Sequence, residues 1–445
     1  MQTMMTWERL VCNKRLGMEN YTDNRSRIRS DFQRDYDRLI FSSPFHRLQN
    51  KTQVFPLPGS VFVHNRLTHS LEVAGVGRSI ASEVASMLMP KYRDTHWAEH
   101  KLGSLGEIVA AAGLAHDLGN PPFGHSGEKC INSYFAEGNG MALRERLTTE
   151  QWNDLIHFEG NANSFRLLTH QFVGRRNGGL SMTYSTLATI VKYPFSSSFA
   201  SHGGKFGFFI SEREYYQRIA TELGIIQFSE QQYARHPLVY LMEAADDICY
   251  QVMDIEDAHK LKVLDHDKTI SLLLGFFTAE RCVHICNVMS RIGDGNEQIA
   301  YLRSCAIDEL VRSCARVFVE NEPSILQGTF QGSLVDHIDE LAHNGYAKCS
   351  ETAFSKIYNQ STVVDIELAG DRIITFLLDK LLDAVLYPDK NYSKLLLSRV
   401  PQQYDVHSLE LFTRIQAVID YISGMTDLYA IDLYSKLSGI HLPQI

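Results

Sequence analysis

The sequence has no apolar run long enough to cross a membrane and no disulfide pattern among its eight cysteines. Residues 1–18 mix charged and apolar side chains and lack the apolar centre of a secretory signal peptide. The scattered cysteines indicate reduced thiols, which is the usual state inside a cell. These absences predict a cytoplasmic protein that makes no contact with a membrane.

Positive charge is also scarce, since 43 lysines and arginines stand against 52 aspartates and glutamates, a net charge of −9. That balance argues against a dedicated nucleic-acid binder, because non-specific binding to phosphate needs a cationic surface. It does not exclude a local basic site. With 44% hydrophobic and 21% charged residues, the composition is that of an ordinary globular protein. The sequence has neither a repeat of fixed period nor a Gly/Ser linker, so we expect one compact unit over residues 1–445.

Apolar residues recur at helical spacing over most of the chain, and we therefore predict an all-α fold. A long helix should follow His69 and end at Pro90, because proline interrupts helical hydrogen bonding. Another strong helix covers residues 237–258. Residues 172–210 are rich in glycine and form the least helical part, for which we predict irregular loops and a small hairpin. Helical spacing resumes over residues 257–445.

The most distinctive stretch combines an adjacent His-Asp pair, a tight turn and a second histidine. His116 and Asp117 end an apolar helical run, and a Gly-Asn-Pro-Pro turn leads to His125 and Glu128. An imidazole beside a carboxylate suits a divalent ion such as Mn²⁺, Mg²⁺ or Fe²⁺. His125 and Glu128 have i,i+3 spacing and can share one helix face. A His-Asp pair alone also fits a polar helix end, so the interpretation depends on the rest of the chain.

A second polar feature lies on the helix predicted at 237–258. Asp246, Tyr250 and Asp254 are spaced i, i+4 and i+8, which places them in one row about 12 Å long. The row fits a solvated face, or a metal ligand followed by a ring and a carboxylate.

Taken together, His69, the pair His116-Asp117 and Asp246 form the H…HD…D pattern of HD-domain phosphohydrolases. Six longer blocks resemble the deoxyguanosinetriphosphate triphosphohydrolase (dGTPase) family, in family order and spread over most of the chain. The blocks are KTQVFP at 51–56, RLTHSLEV at 66–73, HDLGNPPFGHSGE at 116–128, KFGFF at 205–209, EAADDICY at 243–250 and DYISGMTD at 420–427. The resemblance implies an HD metal-binding core at about 60–256 and a helical C-terminal region at 257–445.

The resemblance implies hydrolysis of dGTP, or of other dNTPs, to the deoxynucleoside and inorganic triphosphate by attack of water on the α-phosphorus. It implies one divalent metal ion per subunit, Mn²⁺ or Mg²⁺ first and Fe²⁺, Co²⁺, Ni²⁺ or Zn²⁺ as alternatives. The implied metal ligands are His69, His116, Asp117 and Asp246. His125, supported by Glu128, would transfer a proton, either as an acid or as a base. The implied nucleotide contacts are Gln53, Arg66, His157, Lys192, Tyr193, Lys205, Tyr250 and Asp254.

A ring-like homo-oligomer, commonly a hexamer, is also implied by the resemblance, with Arg414 of one subunit approaching a neighbour's nucleotide. The alternative is that Arg414 lies on a surface helix of its own subunit. A single-stranded DNA or nucleotide effector is a further expected partner. Two other functions stay open: another HD-domain nucleotide phosphohydrolase, which would not need the blocks at 51–56 and 420–427, and a non-catalytic nucleotide- or DNA-sensing HD protein.

Overall fold

The computed structural model describes residues 4–20, 28–53, 63–200, 204–358 and 361–440, so the end of the first family-like block lies outside the described residues. The helices of the first half are α1 (Trp7–Leu10), α2 (Asp31–Ile40), α3 (Ser43–Arg47), α4 (Arg66–Tyr92), α5 (Ala98–Leu102), α6 (Leu105–Ala115), α7 (His125–Ala136), α8 (Thr149–Ile156), α9 (Gly160–Thr169), α10 (Tyr184–Ile190) and α11 (Arg213–Leu223). Those of the second half are α12 (Pro237–Lys260), α13 (His266–Leu274), α14 (Ala279–Met289), α15 (Gly295–Glu320), α16 (Glu322–Leu326), α17 (Glu340–Lys356), α18 (Ser361–Leu386), α19 (Asn391–Leu397), α20 (Leu411–Ser423) and α21 (Asp427–Leu437). Short 3-10 helices cover Leu48–Asn50, Asn139–Arg146, Ser197–Phe199, Ile210–Glu212 and Val335–His337.

The predicted all-α class is confirmed. Within the described ranges, the only sheet has two short antiparallel strands, β1 (Gln227–Ser229) and β2 (Gln232–Tyr233). The helical character of the C-terminal region is likewise confirmed, whereas the division of the chain near residue 256 stays a prediction. No helix among the described residues is both long and apolar enough to span a membrane.

The packing of α6 against α4 and α12 forms the centre of the fold. Helix α6 consists largely of alanine and glycine and is buried almost throughout. A methyl group added at Gly113 would lie 2.9 Å from the Ala74 nitrogen, and one at Gly77 would lie 2.8 Å from Val109. Small residues therefore let α4 and α6 approach closely. This brings the first turn of α4 beside the residue that follows α6.

The start of α4 is fixed by its own sequence. The Asn65 side chain accepts a hydrogen bond from the Thr68 nitrogen, and the Thr68 hydroxyl accepts one from the Asn65 nitrogen, both at 3.0 Å. This capping box satisfies the free amides of the first turn, in which His69 lies. At the other end α4 runs through Pro90 to Tyr92, so the predicted end was wrong by two residues. Proline there removes one hydrogen bond close to the end of the helix, where the cost is small.

The predicted hairpin within residues 172–210 was also wrong. The strands that pair as a hairpin lie later, at β1 and β2, and α10 occupies part of the predicted region. Isolated bridges join Phe195 to Gln232 and Ser196 to Phe208. The extended segment near Phe195 therefore pairs with residues remote in sequence. Local glycine content indicated an irregular region correctly but could not identify these partners.

Candidate metal centre and nucleotide site

Buried side chains from α4 and from the end of α6 converge on one point. The ligand atoms of His69, His116 and Asp117 all lie within 4.8 Å of one another. Asp246 of α12 closes the group, because its Oδ1 is 3.0 Å from Nε2 of His69 and 3.5 Å from Nε2 of His116. The structure thus brings together all four side chains that the sequence suggested as metal ligands.

The state of His116 tests whether a metal ion would fit this group. Its Nδ1 donates to the Gly113 carbonyl at 2.7 Å, which fixes the tautomer, since a carbonyl can only accept. Its Nε2 is buried and has no hydrogen-bond partner in the described chain. A buried, unpartnered imidazole nitrogen that faces a second imidazole and two carboxylates is the arrangement expected of a metal ligand. The residues present therefore fit a divalent metal ion.

Charge is balanced inside this buried group. Burial pushes the pKa of Asp117 upward, but the guanidinium of Arg66 and the ring of His116 outweigh it and hold that pKa below its usual value. Arg66 donates to Oδ2 of Asp117 at 2.7 Å, and the Asn120 amide donates to Oδ1. Burial likewise opposes ionisation of Asp246, yet the two histidines hold its pKa well below normal. Both carboxylates are therefore ionised at neutral pH.

Helix α9 holds the turn that follows the His-Asp pair. Ser164 accepts a hydrogen bond from the Gly119 nitrogen at 2.9 Å and donates to the His116 carbonyl at 2.8 Å. Asn163 donates to the Gly119 carbonyl at 2.7 Å. A side chain at Gly119 would lie 2.2 Å from the Gly160 oxygen, so glycine is required there. The backbone around the metal ligands is thereby fixed from two sides.

The same turn ends in a strained conformation. Phe123 has φ 64° and Gly124 has φ 59°, both in the left-handed region. A bulky residue in this region costs about 1–3 kcal/mol and persists only where the surroundings impose it. His125 follows at once as the first residue of α7.

His125 and Glu128 form a hydrogen-bonded pair next to the metal group. Nδ1 of His125 lies 3.0 Å from Oε2 of Glu128, whose other oxygen accepts from the Gly160 nitrogen at 2.8 Å. Burial raises the pKa of Glu128, but the hydrogen bond and charge of His125 outweigh it and lower that pKa. The ionised Glu128 therefore places a proton on Nδ1. The His125 side chain is 70% exposed, so its Nε2 atom is accessible for proton exchange.

Lys205 lies beside this pair. Its ammonium group is 2.9 Å from Oε1 of Glu159 and 3.9 Å from Oε2 of Glu128. Burial raises the pKa of Glu159, and the nearby charge of Glu128 adds to the effect. Glu159 also caps α9 through the nitrogens of Asn161 and Ala162. One cation is thus shared between two buried carboxylates.

Lys192 and a second cation share Glu243. Oε1 of Glu243 lies 3.1 Å from Lys192, and Oε2 accepts from Arg235 at 2.9 Å. Burial lowers the pKa of Lys192, but Glu243 outweighs it, so the pKa is raised and the ammonium stays charged. The Tyr193 ring lies 5.8 Å from Lys192 and 6.0 Å from the Arg235 guanidinium. Arg235 was not predicted as a site residue, although its position just before the helix that carries Asp246 could have indicated it.

Three of the residues implied as nucleotide contacts carry a buried polar atom without a hydrogen-bond partner in the described chain. These atoms are Oε1 of Gln53, Nε of Arg66 and Nδ1 of His157. Burial lowers the pKa of His157, which is therefore neutral at neutral pH. Since buried polar atoms are normally paired, these unpaired ones are open to a ligand or to water.

The row on α12 is partly covered by a residue that the sequence did not indicate. Tyr250 is half-buried and Asp254 is buried. Tyr358 donates to Oδ2 of Asp254 at 2.6 Å, and its ring centre lies 5.9 Å from that of Tyr250. Burial raises the pKa of Asp254 to about 7, although the Tyr358 hydrogen bond acts in the opposite direction. Tyr358 is 104 residues from Asp254, a separation at which no local pattern could connect them.

Arg414 is a predicted site residue that the structure does not connect to this group. It lies on α20 and donates to the Val385 carbonyl at 2.8 Å, near the end of α18. No hydrogen bond or ion pair joins it to the metal group among the described residues. Its Nε is buried without a hydrogen-bond partner in this part of the chain.

Two domain families match the chain. Residues 66–155 match the HD domain, and residues 338–436 match the phosphohydrolase-associated domain. The HD match includes three of the metal-facing residues and the His125–Glu128 pair, whereas Asp246 lies beyond it. The helical fold and the His/Asp site therefore define an HD-domain phosphohydrolase.

Relatives that match over nearly their full length narrow this class. A deoxyguanosinetriphosphate triphosphohydrolase-like protein of Pseudomonas aeruginosa is 36% identical, covering 99% of this chain and 100% of the relative. A protein of the same name from Synechocystis sp. is 37% identical, with 98% and 100% covered. The deoxyguanosinetriphosphate triphosphohydrolase of Yersinia enterocolitica is 30% identical, with 97% and 98% covered. The chain belongs to the deoxyguanosinetriphosphate triphosphohydrolase family.

Proposed function

We propose that this protein hydrolyses dGTP, and other dNTPs to an extent set by base recognition, to the deoxynucleoside and inorganic triphosphate. The observation that carries the proposal is the continuity of one polar row. Asp246 faces the two histidines, and Tyr250 and Asp254 follow it one and two turns along α12. That order corresponds to an α-phosphate, a sugar ring and a 3′-hydroxyl. The family relationship supports the same substrate class.

Three cations account for the binding of a triphosphate. Lys192, Arg235 and Lys205 are each held by a glutamate. A bound triphosphate would take over these cations, and the guanidinium of Arg235 would offer it a planar pair of donors. Gln53 and His157 would contribute the polar atoms that lack a protein partner.

A divalent ion held by His69, His116, Asp117 and Asp246, with Mn²⁺ or Mg²⁺ the first candidates, would supply Lewis acidity toward a phosphate oxygen. The oxygen of water forms the new bond to the α-phosphorus while the bond to the 5′-oxygen breaks. That oxygen leaves with the electron pair and must gain a proton. His125 transfers a proton through Nε2, and Glu128 orients the ring and stabilises its charged form. Tyr250 excludes a 2′-hydroxyl, and Asp254 accepts a hydrogen bond from the 3′-hydroxyl.

Hydrolysis in ¹⁸O-labelled water tests the proposal directly. The protein is supplied with Mn²⁺ or Mg²⁺ and with each dNTP, GTP and dGMP in turn, and the products are separated and weighed by mass spectrometry. We expect inorganic triphosphate carrying one labelled oxygen and an unlabelled deoxynucleoside. Release of monophosphate or pyrophosphate would instead indicate another phosphohydrolase activity. Label in the deoxynucleoside would place the attack on carbon and overturn the assigned roles.

The proposal includes a closed homo-oligomer, with a hexamer favoured, in which Arg414 reaches a neighbour's triphosphate. The guanidinium of Arg414 supports this idea, because the bond from Nη1 to the Val385 carbonyl is its one hydrogen bond within the described part of its own subunit. Arg414→Ala mixed with the inactive variant Asp246→Ala should regain activity in mixed oligomers. No recovery in verified mixed oligomers, or full activity in a monomer, would remove Arg414 from the site. Single-stranded DNA and non-substrate nucleotides belong in the same assays as candidate effectors.

A further inference from the structure

The strained turn before His125 donates a hydrogen bond to a residue at the other end of the chain. Phe123 has φ 64°, and its backbone nitrogen donates to Oδ1 of Asp427 at 3.0 Å. Asp427 is the first residue of α21 and is buried. A backbone amide that bonds a carboxylate 304 residues away cannot relax without breaking that contact.

The other oxygen of Asp427 is used as well. Oδ2 accepts from the Thr52 nitrogen at 2.9 Å and from the Thr52 hydroxyl at 2.7 Å. One carboxylate therefore joins the segment that carries Gln53 to the turn that carries His125. An amide side chain of the same shape could not do this, because its NH₂ group would face a donor on one side.

The ring of Phe123 is fixed from a different direction. A methyl group at Gly370 of α18 would lie 2.8 Å from Cγ of that ring. A methyl group at Gly127 of α7 would lie 3.1 Å from Ile374 of the same helix. Helices α7 and α18 thus approach closely through these glycines, and the Phe123 ring lies against α18 where no side chain intervenes.

We propose that Asp427 and Gly370 are positioning residues, which hold Phe123 in its left-handed conformation and thereby set the location of His125. His125 is 70% exposed, so packing of its own side chain does little to place it. Its position depends on Glu128 and on the backbone that precedes it. The inference rests on the proposed proton transfer by His125. It adds that two residues of the C-terminal region, neither in contact with substrate, determine the turnover rate.

Asp427→Asn tests the hydrogen bond between the Phe123 nitrogen and Asp427, with Asp432→Asn as the matched control. Asp432 lies on the same helix, is half exposed and, among the described residues, pairs only with Lys436. We expect kcat of Asp427→Asn to fall by about 10²-fold, the usual effect of a displacement near 1 Å. The bound Mn²⁺ should stay within about twofold of the unmodified protein, because the metal ligands are untouched. The KM for dGTP should change less than kcat, because Asp427 bonds Thr52 and not Gln53 itself. Asp432→Asn should match the unmodified protein in all three quantities. An unchanged kcat in a folded Asp427→Asn protein would overturn the proposal, as would loss of Mn²⁺ in parallel with kcat.

Gly370→Ala reaches the same ring without touching a hydrogen bond, and it carries the test if Asp427→Asn fails to fold. The added methyl group must displace Phe123. We therefore expect a similar fall in kcat at constant KM. A normal kcat would refute the role of Gly370.

Amide hydrogen exchange in peptides covering residues 118–126 provides a readout that needs no substrate. Both variants should accelerate exchange there while leaving α6 unchanged. If the unmodified protein hydrolysed no dNTP, the proposed function would fail, yet this measurement would still decide whether Asp427 and Gly370 hold the turn. Exchange at the rate of the unmodified protein in both variants would reject that role.

Discussion

Replacement of Asp254 by asparagine should stabilise the protein, and more so at pH 8 than at pH 5. Burial raises the pKa of this carboxyl from 3.8 to about 7. A group with a raised pKa contributes fully to stability below pH 3.8, and that contribution is lost as the pH rises through 7. At ~1.4 kcal/mol per pH unit, the raised pKa costs ~4 kcal/mol at pH 8, where Asp254 is ionised in both states. It costs ~2 kcal/mol at pH 5, where only the unfolded chain ionises this carboxyl. Asparagine remains neutral and avoids this cost.

The expected change in melting temperature follows from the size of the chain. An unfolding entropy of about 2.1 cal/mol/K per residue gives ~0.9 kcal/mol/K for 445 residues. The variant should therefore melt about 4 °C above the unmodified protein at pH 8 and about 2 °C above it at pH 5. Differential scanning calorimetry at both pH values measures this, with Asp432→Asn as the control for loss of an exposed carboxylate. Any pH-independent cost of fitting the amide cancels in the difference between the two pH values. Equal shifts at pH 5 and pH 8, or a larger one at pH 5, would refute the reasoning.

The same variant tests the proposed contact with the sugar. A hydrogen bond to an ionised acceptor is stronger than one to a neutral amide by ~1 kcal/mol. The preference for dGTP over its 3′-deoxy analogue, as a ratio of kcat/KM, should therefore narrow about fivefold in Asp254→Asn. An unchanged preference would place the 3′-hydroxyl elsewhere, even if the stability prediction held.

Three further substitutions address the other proposed roles. His116→Ala should abolish both Mn²⁺ binding and turnover while the helical circular dichroism persists, and a variant with normal metal content and normal turnover would contradict the ligand assignment. His125→Ala should retain Mn²⁺ and nucleotide but lose turnover by ~10²–10⁴-fold, the range for a positioned acid or base. A collapse of substrate affinity in that variant would instead make His125 a binding residue. Tyr250→Ala should narrow the ratio of kcat/KM between dGTP and GTP by ~10-fold, and a ratio equal to that of the unmodified protein would direct the sugar away from Tyr250.

The helical class and the grouping of the metal-facing side chains were open to prediction from sequence. Helical periodicity is a local property, and the His-Asp pair, the i,i+4,i+8 row and the family-like blocks are all short patterns. The structure adds why His69 and His116 meet. Small residues such as Gly113 and Ala74 let α4 and α6 approach, and an alanine-rich run does not reveal its partner helix from sequence alone.

Contacts between residues far apart in the chain could not be predicted from the sequence. Tyr358 meets Asp254 across 104 residues, and Asp427 meets Phe123 across 304. Lys51 is a further case, since the sequence marked its block without indicating its role. It is buried and donates to the carbonyls of Asn120 and Ser423, and burial lowers its pKa to about 7. Such partners are decided by how the two halves of the chain pack, and no local periodicity encodes that.

The metal-facing side chains come from two parts of the chain, the HD match and a helix beyond it. The HD match ends at residue 155, so it supplies two imidazoles, one carboxylate and the His125–Glu128 pair. The fourth metal-facing side chain, Asp246, comes from α12, the same helix that presents Tyr250 and Asp254 toward the proposed sugar. The proposed metal binding and the proposed sugar recognition therefore share one helix outside the HD match. A rotation of α12 that moved the sugar contacts would also move a metal ligand, so selection for the deoxyribose cannot vary independently of the metal centre.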